Sequence, residues 1–166
     1  MPRGNDLVGL PVLAGSEYRR LGRVQEVLLS KDGTCVCGLQ LAGGGWLQTR
    51  RVLDFRAVKA VGSTHVLADE VYLPDDTATR CCADLHGMPV LGGGGEEVGL
   101  LDDFYFDARS GRVTALQLSQ GFVDDLLSGK EIVAVDRSLY TGEAAIFLDG
   151  PGDLSGGAGS HEVSEL

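Results

Sequence analysis

The sequence predicts an all-β protein built from two tandem small β-barrels, spanning residues 5–73 and 83–149. Three observations indicate this class: an internal repeat, short apolar runs separated by turn residues, and 25 glycines in 166 residues. The average glycine share is only roughly 7%. Glycine adopts positive φ without steric cost, so its abundance is typical of short strands joined by tight turns.

The repeat is visible in the sequence itself. Residues Asp6–Leu13 (DLVGLPVL) return as Asp84–Leu91 (DLHGMPVL). Further equivalent pairs follow in the same order: Leu21-Gly22 with Val98-Gly99, Leu39–Leu41 with Leu116–Leu118, Arg51–Leu53 with Glu131–Val133, Gly62 with Gly142, and Val66–Asp69 with Ile146–Asp149. So many matches in register indicate a duplication. We therefore expect the halves to superpose, Pro11 over Pro89 and Gly22 over Gly99.

Each copy predicts a succession of strands, because its apolar runs are rich in β-branched and aromatic residues. In the segment Cys35–Leu41, alternation predicts that Cys35, Cys37, Leu39 and Leu41 share one face. Glycine-containing turns are expected at Lys31–Gly33 and Arg109–Gly111, and one helical turn at Phe122–Leu127. The predicted strands are Gly22–Leu29, Cys35–Leu41, Arg51–Phe55 and His65–Ala68 in the first copy, with Gly99–Phe106, Glu131–Val135 and Ala145–Leu148 in the second.

Two segments outside the copies have a different composition. Residues 74–82, which begin with the linker-like segment Pro74–Thr79, are predicted to be a linker. Residues 150–166 contain too few apolar side chains to offset the entropy of ordering, so they are predicted to form a flexible tail. A copy of this size has a small core. We therefore expect the copies to share an interface of Val, Leu and Phe side chains and to unfold in one step.

These residues resemble the PRC-barrel domain family. The resemblance is carried by the Asp-Leu-x-Gly-x-Pro-Val opening, a glycine turn, a Gly-x-x-x-acidic-x-apolar strand, and a hairpin that Asp107–Val113 matches best. Members of this family include the photosynthetic reaction-centre H subunit and the C-terminal domain of the ribosome maturation factor RimM. The resemblance implies two compact barrels and an assembly or adaptor role, and it supplies no catalytic residues.

Charge is distributed unevenly. The net charge is −10. Residues 1–78 contain nine Lys/Arg and nine Asp/Glu, whereas residues 79–166 contain five and fifteen. This excess disfavours nucleic-acid binding, which depends on basic contacts. The start of the chain lacks the apolar region of a signal peptide, and no stretch reaches the ~20 apolar residues of a membrane span. We expect a cytoplasmic protein without membrane insertion.

No catalytic or cofactor-binding pattern is present in the sequence. Gly92–Gly95 is followed by two glutamates and lacks the Lys-Ser/Thr of a phosphate loop. His65, His86 and His161 have no ligand spacing, and no catalytic triad can be assembled. We expect neither enzyme activity nor a cofactor. Four cysteines are interpreted as free thiols, with a metal or redox role as the alternative: Cys35, Cys37, Cys81 and Cys82.

Two basic clusters in the first copy are the predicted partner-binding residues: Arg19, Arg20 and Arg23 in one, and Arg50, Arg51, Arg56 and Lys59 in the other, with Trp46 before the second. Aromatic residues beside arginines are typical of binding hot spots, although Trp46 also suits the end of a barrel. The leading hypothesis is a non-catalytic protein-interaction module. The alternatives are an RNA-associated or ribosome-biogenesis role and, more weakly, small-ligand or metal binding. The sequence leaves self-association open.

Overall fold

A computed structural model describes residues 1–42, 51–120, 129–135 and 139–148. The helices of this part are α1 (Gly4–Leu7) and α2 (Cys82–Leu85), and a 3₁₀ turn covers Phe55–Ala57. Its strands are β1 (Pro11–Ala14), β2 (Arg19–Ser30), β3 (Val36–Ala42), β4 (Arg51–Asp54), β5 (Val58–Val61), β6 (Val66–Ala68), β7 (Thr79–Cys81), β8 (Pro89–Leu91), β9 (Glu97–Phe106), β10 (Val113–Ser119), β11 (Glu131–Ala134), β12 (Leu139–Thr141) and β13 (Ile146–Leu148).

The two copies, called repeat 1 and repeat 2 from here on, form sheets of the same topology. Repeat 1 has the strand order β4-β3-β2-β1-β6-β5, and repeat 2 has the order β11-β10-β9-β8-β13-β12. In each sheet the first strand pairs parallel with a late strand, β1 with β6 and β8 with β13. The predicted all-β fold of two tandem repeats is confirmed. The helical turn predicted at Phe122–Leu127 and the predicted tail lie outside the described residues.

Strand register confirms the equivalence of the repeats. Pro11 lies opposite Arg23 and Pro89 lies opposite Leu100. Gly22 and Gly99 also occupy equivalent positions, because Val12 lies opposite Gly22 and Val90 lies opposite Gly99. Irregularities also recur: each long strand shifts register once against the first strand of its repeat and twice against the following strand. The duplication therefore extends to local backbone irregularities.

One of these shifts corrects the predicted face of β3. Leu28 pairs with Gly38 and Leu29 pairs with Val36, so Cys37 is an extra residue in a β-bulge. A bulge interrupts the alternation of side chains. Val36 is consequently buried with Leu39 and Leu41, whereas Cys35 and Cys37 are half-buried. The prediction that both cysteines share the buried face of those leucines was wrong.

Each repeat sends its first residues onto the long strand of the other. Strand β7 lies entirely within residues 74–82, the interval predicted as a linker, and pairs with the end of β2, Leu28 opposite Cys81. In the equivalent place, Arg3 forms an antiparallel bridge with Tyr105 of β9. Helix α1 then packs against β9 and helix α2 against β2. The repeats are thus interlocked by an exchange of their N-terminal segments.

The interface between the repeats contains backbone hydrogen bonds as well as apolar side chains. Val36 N–H donates to the Gly111 carbonyl (2.8 Å), and Val113 N–H donates to the Thr34 carbonyl (2.9 Å). Phe106, which is fully buried, contacts Phe55 edge to face with ring centroids 5.7 Å apart. Buried residues of both repeats form one apolar cluster. The interface thus joins Phe side chains of the two repeats within one cluster that also contains Val and Leu residues, and it contains in addition the isolated backbone bridge between Cys35 and Arg112.

Candidate protein-interaction surface

The hairpin between β1 and β2 presents an exposed aromatic residue followed by two arginines. Tyr18 has φ of 52° and is 61% exposed. A bulky residue rarely adopts positive φ, and such backbone strain is concentrated at functional sites. Arg19 and Arg20 begin β2 and are exposed. Three consecutive exposed residues, one aromatic and two basic, therefore lie at the tip of the repeat 1 hairpin.

A chain of polar contacts connects this hairpin to the second predicted cluster. Arg19 forms an ion pair with Glu70, and the Tyr72 hydroxyl donates to the same carboxylate at 3.2 Å. Arg51 donates to the Tyr72 hydroxyl (3.2 Å) and lies over its ring, 5.3 Å from the centroid. Arg51 also donates to the Leu21 carbonyl at 2.8 Å. These contacts bring one arginine of each predicted cluster onto a single surface.

The protonation states in this network are well defined. The hydrogen bond from Arg19 lowers the pKa of Glu70, so its carboxylate is ionised at neutral pH. Burial raises the pKa of Tyr72, so its phenol stays protonated and can donate. We call this surface, formed by Tyr18, Arg19, Arg20, Arg51 and Tyr72, the basic face.

The structure does not bring the other predicted basic residues into this network. Arg23 donates to the Gly9 carbonyl. Arg56 pairs with Asp54 at 2.7 Å. Because Asp54 also accepts the Arg56 backbone N–H (2.9 Å), that pair caps the 3₁₀ turn.

Lys59, from the same cluster, pairs with Asp69 at 2.6 Å on the neighbouring hairpin. Trp46 and Arg50 lie outside the described residues. Within the described part of the chain, the predicted set is therefore reduced to a smaller surface that contains Arg19, Arg20 and Arg51.

Repeat 2 carries the opposite charge at the equivalent positions. Arg20 lies opposite Leu13 of β1, and Glu97 lies opposite the equivalent Leu91 of β8. By the same register Glu96 corresponds to Arg19. Glu131, opposite Leu118, corresponds to Arg51, opposite Leu41. We call Glu96, Glu97 and Glu131, all exposed, the acidic face.

In each repeat, the bulge carbonyl of the first hairpin accepts a hydrogen bond from a side chain. In repeat 1, Arg51 donates to the carbonyl of Leu21, the bulged residue of the first hairpin. In repeat 2 the equivalent bulge carbonyl, that of Val98, accepts from the Gln120 amide at 2.6 Å. The same amide donates to Glu131 at 3.2 Å. Beside the equivalent bulge, repeat 1 thus carries a positively charged residue, Arg51, and repeat 2 carries a negatively charged one, Glu131.

Two of the four cysteines, Cys37 and Cys82, are held in the protonated thiol form by burial, which raises their pKa. Burial raises the pKa of Cys37 to about 11, and its thiol donates to the Leu28 carbonyl at 3.4 Å. Burial also raises the pKa of Cys82. Thiolates are the reactive and ligating form of cysteine. Over residues 1–42, 51–120, 129–135 and 139–148, no three His, Cys, Asp or Glu side chains are placed to hold a metal ion.

The acidic residue of the long-strand motif contacts the opposite repeat. Asp103 of β9 accepts the Asn5 backbone N–H of α1 at 3.3 Å. Glu26, its equivalent on β2, accepts the Ala83 backbone N–H of α2 at 3.4 Å. Both carboxylates line a groove of about 390 Å³ between the helices. Their contacts satisfy helix N–H groups that would otherwise be unpaired, so the motif links the repeats.

Three residues of the basic face or its network were not predicted from the sequence: Tyr18, Glu70 and Tyr72. Tyr18 carries the signal used for Trp46, an aromatic residue beside arginines, and could have been found in this way. Glu70 is 51 positions from Arg19. No spacing rule connects residues so far apart, so only the folded chain shows their contact.

Comparison with known proteins supports the duplication. The family model described as the PRC-barrel domain matches twice, over residues 2–76 and 82–154. The chain is also 27% identical over 152 residues to a protein of Bacillus subtilis (strain 168) named "Uncharacterized protein YrrD". That alignment covers 88% of this chain and 86% of the relative. In the described part of the chain, no helix has the length and apolar character needed to span a membrane.

Proposed function

This chain belongs to the PRC-barrel family, and we propose that it is a non-catalytic protein-interaction module whose basic face docks an acidic segment of a partner. The observation that supports this most strongly is the grouping of Tyr18, Arg19 and Arg20 at one exposed tip. Tyrosine and arginine are enriched among residues that contribute most to protein–protein affinity. An acidic segment complements the positive charge of this surface.

The network behind the tip favours binding, because it orders part of the surface in advance. Arg19 is paired with Glu70, and Arg51 is stacked on Tyr72. Side chains that are already ordered lose less conformational entropy on association. Arg20 has no ion-pair partner among the described residues, so its charge is available to a ligand. The two interlocked repeats provide a firm support for this surface.

We place this module in the cytoplasm. Cys35, Cys37, Cys81 and Cys82, all within the described residues, form no disulfide, and cysteines without disulfides are typical of a reducing compartment.

An RNA-associated role is the second candidate, and one observation favours it. The exposed ring of Tyr18 beside two guanidinium groups is an arrangement on which an unpaired base stacks. The net charge of −10 works against it, because phosphate repulsion weakens every non-specific encounter. We therefore rank protein docking first.

The test is an affinity capture with the full-length chain, comparing wild type with R19E/R20E in lysate with and without nuclease treatment. A suitable control is K31E/R109E, which makes the same charge change at two exposed turn residues. We expect wild type and the control to retain a protein that R19E/R20E loses. Thermal unfolding of each variant shows whether the fold is intact.

Two outcomes would contradict the proposal. Equal capture by wild type and R19E/R20E would mean that the basic face is not the docking surface. Recovery of RNA without protein, in a salt-dependent manner and lost after nuclease treatment, would favour the RNA-associated role instead.

A further inference from the structure

We infer that the basic face of one molecule docks on the acidic face of a second copy, giving head-to-tail self-association. The inference rests on the proposed function of the basic face and names its partner. It starts from a property of the duplication: three pairs of equivalent positions carry opposite charges. These pairs are Arg19 with Glu96, Arg20 with Glu97, and Arg51 with Glu131.

Equivalent positions on one fold share their geometry. Both hairpins contain the same bulge, at Leu21 in repeat 1 and at Val98 in repeat 2. The third charged residue of each face is attached to that bulge carbonyl, Arg51 directly and Glu131 through Gln120. Three positively charged positions of the basic face are therefore equivalent, by strand register, to three negatively charged positions of the acidic face.

Several of these charges are available for an intermolecular contact. Arg20, Glu96 and Glu97 are exposed, and none of them has an ion-pair partner within the described ranges. Arg19 already pairs with Glu70, so it contributes less additional attraction. Tyr18, 61% exposed, adds apolar area next to the ion pairs.

The charge pattern also selects the arrangement of the two molecules. A symmetric contact that joins basic face to basic face, or acidic face to acidic face, places like charges together and is disfavoured. Contact between unlike faces is heterologous, because each molecule uses a different surface. Each end of the resulting pair still carries one free face, so association can continue to longer chains or a closed ring.

The contact is expected to be weak and sensitive to salt. Exposed ion pairs contribute little individually and are screened over about 8 Å at physiological ionic strength. The net charge of −10 per molecule opposes association at long range. Self-association should therefore be reversible and dependent on protein concentration.

Sedimentation velocity of the full-length chain tests this inference. Concentration series are measured at about 50 mM and about 500 mM sodium chloride, where the Debye length falls from roughly 14 Å to roughly 4 Å. At low salt we expect the average mass to rise with concentration above the 17.5 kDa of one chain. At high salt the mass should return to that of the monomer.

Charge reversal identifies the faces. R19E/R20E makes both faces acidic, and E96R/E97R makes both faces basic, so each variant alone should remain monomeric at low salt. Mixing the two variants should restore association. The matched control for E96R/E97R is D75R/D76R, which makes the same charge change in an exposed turn between the two repeats and should associate like wild type. R20E alone, which leaves the Arg19–Glu70 pair intact, should weaken association if R19E/R20E is unstable.

A wild-type chain that stays monomeric at every concentration in low salt would overturn the inference, as would association that charge reversal leaves unchanged. Loss of association in D75R/D76R equal to that in E96R/E97R would also contradict it, because only net charge would then matter. If the chain is monomeric but R19E/R20E still loses a captured protein, this inference is wrong and the proposed function stands.

Discussion

Repeat 1 and repeat 2 share their internal architecture and differ in the charge of one face. Their strand orders, parallel closing pairs and bulges are the same. The acidic residue that contacts the opposite repeat is Glu26 in one and Asp103 in the other. At three other positions, Arg19, Arg20 and Arg51 of repeat 1 correspond to Glu96, Glu97 and Glu131 of repeat 2. Comparison of the repeats thus indicates that the fold requires the strand order, the bulges and the acidic contact residue, whereas the charge of exposed positions can differ.

The comparison also shows how the repeats depend on each other. Each long strand receives its last backbone partners from the other repeat, through β7 on β2 and through Arg3 on β9. Neither sheet is complete without the N-terminal segment of its neighbour. Damage to one repeat should therefore spread to both.

The largest effect is expected from Phe106→Ala. This side chain is fully buried and lies against Phe55 of the other repeat. Removing a buried phenylalanine ring should lower the free energy of unfolding by about 3–5 kcal/mol. Urea unfolding measures the loss, and hydrogen exchange should show reduced protection in both repeats. Loss of protection confined to repeat 2 would show that the repeats are independent.

An intermediate effect is expected from Gly111→Ala. Gly111 has φ of +75°, and a Cβ atom there would lie 2.6 Å from the Val36 carbonyl oxygen and 2.9 Å from Phe55. Backbone strain and overlap together should cost about 3 kcal/mol. The control is Gly87→Ala, where φ is +80° and no atom lies within 4 Å.

That control should cost only about 1–2 kcal/mol, the penalty of the left-handed conformation alone. The difference between the two variants in thermal or urea unfolding measures the close approach of the repeats at Gly111. Equal losses would mean that the backbone between the repeats adjusts freely.

The smallest effect is expected from Asp103→Asn, and it depends on pH. Burial raises the pKa of Asp103 above that of the unfolded chain, so the protonated carboxyl favours folding and ionisation at higher pH disfavours it. The asparagine oxygen can still accept the Asn5 N–H. At about pH 7 the variant should be more stable than wild type by up to about 1 kcal/mol, and this advantage should shrink as the pH falls toward about 4.

Asp54→Asn should show the opposite sign. The hydrogen bond from Arg56 lowers the pKa of Asp54, so its carboxylate stabilises the fold above the unfolded pKa and loses this effect as the pH falls. The variant should be less stable than wild type at neutral pH, and the deficit should diminish in acid. An Asp103→Asn advantage that grows on acidification would show that its hydrogen bonds outweigh its burial.

Much of the fold was predictable because it depends on local patterns that occur twice. The strand at Gly22–Leu29 was predicted within β2, and that at Glu131–Val135 almost coincides with β11. The bulge at Cys37 was not predicted, because alternation assumes a regular strand and a bulge depends on the partner strand. The strand Thr79–Cys81 was also missed, since its partner, the end of β2, belongs to the other repeat.

The candidate site shows the same division. The sequence located the arginines, because clustered like charges are visible in order. It did not show that Arg23 and Arg56 serve local backbone and capping contacts, nor that Arg19 and Arg51 meet through Glu70 and Tyr72. Those relations depend on distances in space between residues that are far apart in the chain.

The sequence by itself determined that this protein is a duplicated all-β chain with a neutral first half and an acidic second half, because composition, periodicity and repetition are local properties. Only the tertiary structure decided that the repeats exchange their N-terminal segments and that Arg19 and Arg51 meet through Glu70 and Tyr72. The physical reason is that tertiary packing determines which strands pair and which side chains become neighbours on the surface. Packing joins residues such as Arg3 and Tyr105, whose separation along the chain carries no signal.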